Sequence, residues 1–456
     1  MHACTATRRF LSIFCVILTL AAVRAAAGQE LPPLSLQDAI DRALKHNPQL
    51  TAAHSRLDAG RERVSQARAG FLPRIDFEEN YNRTTNPTRA FGTRLNQEII
   101  EREDFEPDAL NDPDPIDNFS SRIRAEWLLY DSGRTLSGYR QARFERSGLE
   151  NDLERSRQEV IYRTIRAYDS LLMAMAGEAL IDDSLASANA NLKTARSRFR
   201  GGFVVRSDVL RAEVRVADLQ QAAIEARGRV VVAKAGLNSA MGDAIDADWH
   251  PVTPLAAPVS QIAGDARFWE ETALENQPLL RRMELAVAAA REEVRKSQSA
   301  HLPAVGLAGD YEVNTERFDD TADNYTVGAF LRFNLFAGGR LNARTREAKA
   351  WAAEADARLR SLEDEIRVEA RSALQRVKSA EERIAAAEVA VRQAEAALGM
   401  VSSRYGSGLV TIADLLDAET AHHQAKVRLL EAVHDCHSAT AGLMLVAGTL
   451  TGNFSR

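Results

Sequence analysis

The sequence predicts a mainly α-helical protein that also carries transmembrane β-structure: long antiparallel coiled-coil helices plus four strands per chain. Three observations lead there. No proline interrupts residues 116–250 or 304–456, so very long helices are allowed. Apolar residues between Ala370 and Tyr405 recur at strict three-four spacing, the mark of a coiled-coil seam. Two pairs of short segments instead alternate apolar and polar residues, the period of strands with one apolar face.

The N-terminus comes first. Arg8 and Arg9 precede an apolar run from Phe10 to Val23, and Ala25, Ala26 and Ala27 supply the small residues of a cleavage site after Ala27, so residues 1–27 are expected to be a secretory signal peptide. The run is shorter than the roughly 20 apolar residues a membrane anchor needs. Removal takes away three arginines and no acid, moving the formal charge from −6 to −9. A mildly acidic exported chain is not a nucleic-acid binder on electrostatic grounds. Cys4 and Cys15 leave with the signal, and Cys436 alone cannot form an intrachain disulfide.

The mature chain is duplicated. "ALKHNPQL" (Ala43–Leu50) recurs as "ALENQPLL" (Ala273–Leu280), and the prolines of "FLPRIDF" and "HLPAVGL" correspond, all offset by 230. "LYDSGR" matches "LFAGGR", and "FRGGFVVRSDVLRAE" matches "YGSGLVTIADLLDAE", offset by 206. The extra length lies between Pro73 and Gly133, in a polar, turn-rich insertion at about residues 86–118. Repeat 1 is expected over 28–242, with a β-hairpin at about 72–130 and a helix-reversing tip at about 200–207. A proline-punctuated linker follows at 243–270. Repeat 2 covers 271–456, with a hairpin at about 302–336 and a tip at about 405–411.

Within the hairpins, Phe119, Ile123, Ala125, Trp127 and Leu129 share one face against Ser120, Arg122, Arg124 and Glu126. Val305, Leu307, Tyr311 and Val313 repeat the pattern, as do Tyr325, Val327, Ala329, Leu331, Phe333 and Leu335. The first strand, from Ile75 through Phe77 to Tyr81, is the weakest because Glu79 breaks its apolar face. Four strands cannot close a barrel, and open edges in lipid leave N–H and C=O groups unpaired at several kcal/mol each. Several chains must therefore combine, and three would supply twelve strands.

A helix pair, a β-hairpin and two very long helices joined by a Gly-containing turn, all given twice behind an export signal, resemble the TolC family of outer-membrane efflux proteins. The resemblance covers essentially the whole mature chain. It implies a homotrimer whose 12-stranded β-barrel in the outer membrane of a Gram-negative envelope continues into the periplasm as a 12-helix α-barrel. It also implies docking onto a periplasmic adaptor (membrane fusion) protein and an inner-membrane pump, with no catalysis and no cofactor. Such a chain is the exit duct of a tripartite efflux system or, alternatively, of a type I protein secretion system. A structural periplasmic coiled-coil protein, the rival of another class, would not need the amphipathic strands.

Carried over residue by residue, the resemblance assigns the adaptor contacts to Gly202, Phe203 and Val204 and to Gly408, Leu409 and Val410. Pro73, Gly133, Pro303 and Gly339 match swivels between barrel and tunnel. Asp414 and Asp417 fall on the acids of the periplasmic gate, and Tyr405 and Asp208 on its closed-state link. Val410 stands where another family member has an arginine, so one closing ion pair is absent. The plainer reading of Asp414 is helix capping, because Thr411 precedes it by three residues; this reading fits Asp417 less well, nearly a turn further on. His422, His423, His434 and His437 are closely spaced, but a solvated helix face explains them better than a metal site. The insertion at 86–118 is expected to be an extracellular loop, longer than its counterpart near residues 316–324.

Overall fold

The structure, a computed structural model, describes residues 31–255, 262–318 and 320–454. The expected signal peptide lies outside them, as does Pro258 of the linker. In chain order the elements are β1 (Pro33–Leu34), α1 (Leu36–His46), α2 (Pro48–Ala69), β2 (Arg74–Thr84), α3 (Pro87–Asn96), α4 (Pro107–Asn111) and β3 (Ile116–Tyr130). There follow α5 (Arg134–Arg200), α6 (Arg206–Met241), β4 (His250–Pro251), α7 (Ala266–Asn276), α8 (Pro278–Ser299) and β5 (Ala304–Thr315). The chain ends with β6 (Ala322–Arg332), α9 (Arg340–Gly406), α10 (Ile412–Val446) and α11 (Leu450–Phe454). These elements group into two units, and each draws on both halves of the sequence: Ala52–Ser156 with Gln277–Val368 form one, and Arg157–Asn276 with the flanking segments form the other.

The second unit is helical. Along α9 the seam positions Ala370, Ala373, Val377, Ala380 and Ile384 are buried, and Val391, Ala394, Leu398 and Val401 are half-buried. Ala380 and Ile384 pack on Ala432, Val433 and Cys436 of α10, and Ala373 and Val377 on its Leu443, so alanines let the two backbones approach. A further cluster gathers Leu34, Ala39, Tyr168, Leu171, Leu237 and Met241. There the Tyr168 hydroxyl donates to the Leu34 carbonyl at 2.8 Å and accepts from the Thr253 amide at 3.0 Å, satisfying its polar end inside an apolar cluster. Gly242 closes α6 at φ 79°, and a Cβ there would lie 2.5 Å from the His46 carbonyl oxygen, so only glycine fits.

The other unit holds a four-stranded antiparallel sheet in the order β2-β3-β5-β6. Register aligns Phe77, Ile123, Tyr311 and Tyr325 in one row across all four strands. Side chains on this face point away from the chain's own core: Phe77 is 67% exposed, Val327 77% and Leu331 69%. The opposite face buries polar groups, with Ser120 donating to Glu312 at 2.6 Å, Arg122 donating to it at 2.7 Å and Asn118 donating to Asn314 at 2.8 Å. A sheet that exposes its apolar side and gathers its polar groups on the covered side is inside out for water. β2 runs unbroken for 11 residues despite Glu79, whose carboxylate accepts from Ser121 directly across on β3.

One expectation needs correction. β6 ends at Arg332, so Phe333 and Leu335 are not strand residues. Its partner β5 begins at Ala304, and Pro303 has no N–H with which to extend the ladder. The insertion expected as an extracellular loop is itself folded, with α3 and α4 inside it. Asn86 caps α3 through its side-chain oxygen, with Pro87 at the first helical position, and α3 packs against both β3 and β6.

Candidate functional site

The site is built where the long helices reverse. Each tip ends its first helix with the same pair of bonds. The Phe203 amide donates to the Arg198 carbonyl at 2.9 Å and the Gly202 amide to that of Phe199 at 3.0 Å; Leu409 and Gly408 repeat this onto Arg404 and Tyr405, both at 3.0 Å. That is a Schellman closure, which needs one left-handed residue. Gly202 (φ 76°) and Gly408 (φ 77°) supply it, whereas Gly201 and Gly406 do not take positive φ. Phe203 and Leu409 then project into solvent at 84% and 75% exposure, while Val204 and Val410 turn inward and Val410 packs on the core.

Beneath the tips, Ala188, Leu192 and Ala195 of α5, Val209, Ala212, Val216 and Leu219 of α6, Tyr405 of α9, and Ile412 and Leu415 of α10 form one apolar cluster. Asp414 starts α10 in a capping box. The Thr411 amide and hydroxyl donate to its Oδ2 at 2.8 and 2.7 Å, and its own amide donates back to Thr411 Oγ1 at 3.3 Å. Those bonds hold its carboxyl below the usual aspartate range. Asp417 is exposed and has no hydrogen bond or ion pair among the described residues. The capping role therefore accounts for Asp414 and leaves Asp417 free.

Tyr405 is 5% exposed, and its hydroxyl has no partner at bonding distance among the described residues. Burial pushes the phenol up, Arg198 opposes that, and Asp208 adds to it. Tyr405 and Asp208 are thus near one another without a bond between them in a single chain.

Arg198 was not singled out by the sequence. From the end of α5 its guanidinium donates to the Tyr405 and Gly406 carbonyls, both at 2.6 Å, and lies 4.7 Å from the centre of the Tyr405 ring. It satisfies the last carbonyls of α9 and places a cation at the negative end of that helix. Nothing in the local pattern could have found it, since its partners lie more than 200 residues away.

Behind Asp417, Ser184, Arg215, Glu419, His422, His423 and Lys426 line a cavity of about 160 Å³. Asn191 donates to Glu419 at 2.6 Å, and Ser184 pairs with His423 Nδ1 at 3.1 Å. Burial raises the Glu419 carboxyl and depresses both histidines. His434 and His437 lie elsewhere, beside Asp435 and Asp169, and no three potential ligands converge among the described residues.

At the sheet's other end the chain passes from helix to strand at Pro73 and Pro303, immediately before β2 and β5. It returns to helix at Gly133 (φ 86°) and at Gly338 and Gly339 (φ 60° and 79°). Ser132 Oγ donates to the Pro303 carbonyl and Ser299 Oγ to the Ser132 carbonyl, each at 2.8 Å, so the crossings of the two hairpins are buckled together.

Among known proteins, the model of the outer membrane efflux protein family matches residues 39–243 and 269–449. The chain belongs to this family, the TolC family of outer-membrane channels. Outer membrane efflux protein BepC of Brucella suis is 25% identical over 435 residues, 93% of this chain and 88% of that protein. Alkaline protease secretion protein AprF of Pseudomonas aeruginosa is 27% identical over 431 residues, 91% and 85%. The solved structure of the outer-membrane channel OprN shares the fold, with a TM-score of 0.78 at 20% identity over 91% of this chain and 90% of that one. Membership makes the protein an outer-membrane exit duct with a periplasmic part, and not an enzyme.

Proposed function

We propose that three copies of this chain close one 12-stranded barrel and continue it as a 12-helix periplasmic tunnel, which meets an adaptor protein and an inner-membrane pump at its tips. The observation that carries this reading is the sheet, whose apolar face is exposed along its length while both edge strands, β2 and β6, have a free side within the chain. In lipid such edges require a neighbour, and cyclic repetition supplies one without end. Native mass measurement of detergent-extracted protein should give a trimer, and a stable water-soluble monomer would sink the reading.

Phe203 and Leu409, apolar and outermost at the two tips, suit contact with an adaptor, and the left-handed glycines behind them fix their direction. The crossings at Pro73, Gly133, Pro303 and Gly339 serve as swivels. Asp417, with Asp414 beside it, forms the gate: threefold repetition gathers six carboxylates that favour cations. Tyr405 and Asp208 complete their link only in the assembled closed state. In planar bilayers, the Asp414→Ala, Asp417→Ala double variant should lose cation preference and its block by multivalent cations while still assembling. A second cargo class, secreted protein, is favoured by the likeness to a relative named for protease secretion. Crosslinking in cells and identification of the captured pump decides between the two.

A further inference from the structure

We infer that the insertion between β2 and β3 is a folded cap that lies inside the barrel mouth and closes its outward end to large solutes at rest; this rests on the trimeric barrel proposed above. The hairpin β2-β3 could have held its loop clear of the sheet. Instead α3 crosses from β3 to the far strand β6, and it does so on the polar face. Gln97, just after α3, donates through its side-chain amide to the Asp117 carbonyl at 2.8 Å and to Asn118 Oδ1 at 2.9 Å. Asn118 in turn donates to Asn314 of β5, so one chain of amides joins the cap to two strands. Ala90, Gln97, Asn118, Asn314 and Ala322 are all buried by this contact.

The cap has its own framework. Arg94 pairs with Asp104, whose other oxygen accepts from the Glu101 amide at 2.8 Å, and Phe91 meets Phe105 edge to face at 5.6 Å. It nevertheless leaves Leu95, Ile99 and Phe105 exposed, an apolar surface that two further copies around a threefold axis would cover.

Size decides the consequence. Twelve strands about 4.8 Å apart and tilted about 45° make a barrel about 26 Å across between backbones. Three helices about 10 Å thick, side by side, need about 22 Å, so three caps nearly fill the mouth before wall side chains are counted. Passage therefore requires the caps to leave the wall, and Gln97 is the residue that holds each one there.

The test uses cysteine probes in the full chain on intact cells, with a bulky membrane-impermeant maleimide added outside. Arg124→Cys places the probe on the polar face, four residues beyond Ser120 along β3, and Ile123→Cys places it on the lipid face. Thr84 and Ile116 are directly paired, so residues 85–115 can be replaced by an Asn-Gly turn. Labelling of Arg124→Cys should be slow in the full chain and at least tenfold faster without the cap. Should the shortened chain fail to assemble, Gln97→Ala in the otherwise intact protein should raise the rate several-fold. Equal rates with and without these changes would overturn the cap. With the cap removed, or released by Gln97→Ala, labelling of Ile123→Cys as fast as Arg124→Cys would instead overturn the barrel reading on which the cap rests.

Discussion

The two helix tips share a backbone and differ in what holds it. Both close with the same two bonds and one left-handed glycine, and both present an exposed apolar residue. After the turn they part. α10 starts with Thr411 and Asp414 in a reciprocal cap, whereas the matching start of α6 has Val205 at the cap, with no side-chain bond. Arg198 adds to the contrast, since it leaves its own tip to close the end of α9. One tip is therefore fixed by side chains at both helix ends. The other has no side-chain bond at either helix end and is held by burial of Val209 and Ala212, by its backbone turn and by one exposed ion pair further back, Arg196 to Glu213 at 2.7 Å. A duplicated sequence can keep a fold while distributing rigidity unequally.

Arg198→Ala should widen this comparison most. It removes two charge-assisted hydrogen bonds and the ring contact, and it strands two carbonyls, a local cost of about 2–3 kcal/mol. Hydrogen exchange of the amides from Arg404 to Leu409 should accelerate accordingly, with amides on the opposite tip changing less. Equal acceleration at both tips would show that they open as one unit and that the asymmetry is only apparent.

Gly202→Ala and Gly408→Ala sharpen it by doing the reverse. No atom lies within 4 Å of a Cβ at either position, so only the positive φ resists the methyl group. Each variant should cost about 1 kcal/mol, and the two costs should match. A large difference in melting temperature between them would mean that one turn is strained by something beyond its dihedral angle.

The cap residues come next. Thr411→Ala should destabilise the start of α10 by about 1 kcal/mol, and Val205→Thr should stabilise the start of α6 by a similar amount, since Asp208 already stands three residues on. Protection of the first-turn amides measures both. No gain from Val205→Thr would mean that the Asp208 carboxylate is engaged elsewhere in the assembled protein.

What the sequence disclosed follows from the range of each interaction. The strands were legible because alternation is local and their apolar face remains uncovered. The α9 seam was legible because three-four spacing persists for five heptads, and Asp414 because a cap is a three-residue signal. Arg198 was not, because its partners are carbonyls on another helix, and any residue type can supply those. The insertion's polar, turn-rich composition hides its helices, although Asn86 and Pro87 together are a helix-start signal within it. The end of β6 was missed because alternation continues past Arg332 while the neighbouring strand does not.

The smallest expected effect is on pH, and it tests whether the better-held tip is also the one that responds to acid. The cavity behind Asp417 joins His422 and His423 to Arg215 and Lys426, with Asp183 and Glu419 as the acids lining it and Glu395 near His422. Burial lowers both histidines from 6.5, so the stability they confer is present above that value and is lost as pH falls through their lower folded values. Glu419 is raised from 4.5, again by burial, so its contribution is present at low pH and is lost as pH rises through its folded value. On acidification below 6.5 the two trends oppose, and the expected outcome is that the two histidines outweigh the one carboxyl. Amide protection at the start of α10 should fall slightly over that range, while that at the start of α6 should not. The His422→Gln, His423→Gln variant should abolish the fall, and Glu419→Gln should deepen it. If acidification instead strengthens the tip, the carboxyl governs the cavity, and the pH response belongs to Glu419 rather than to the histidines.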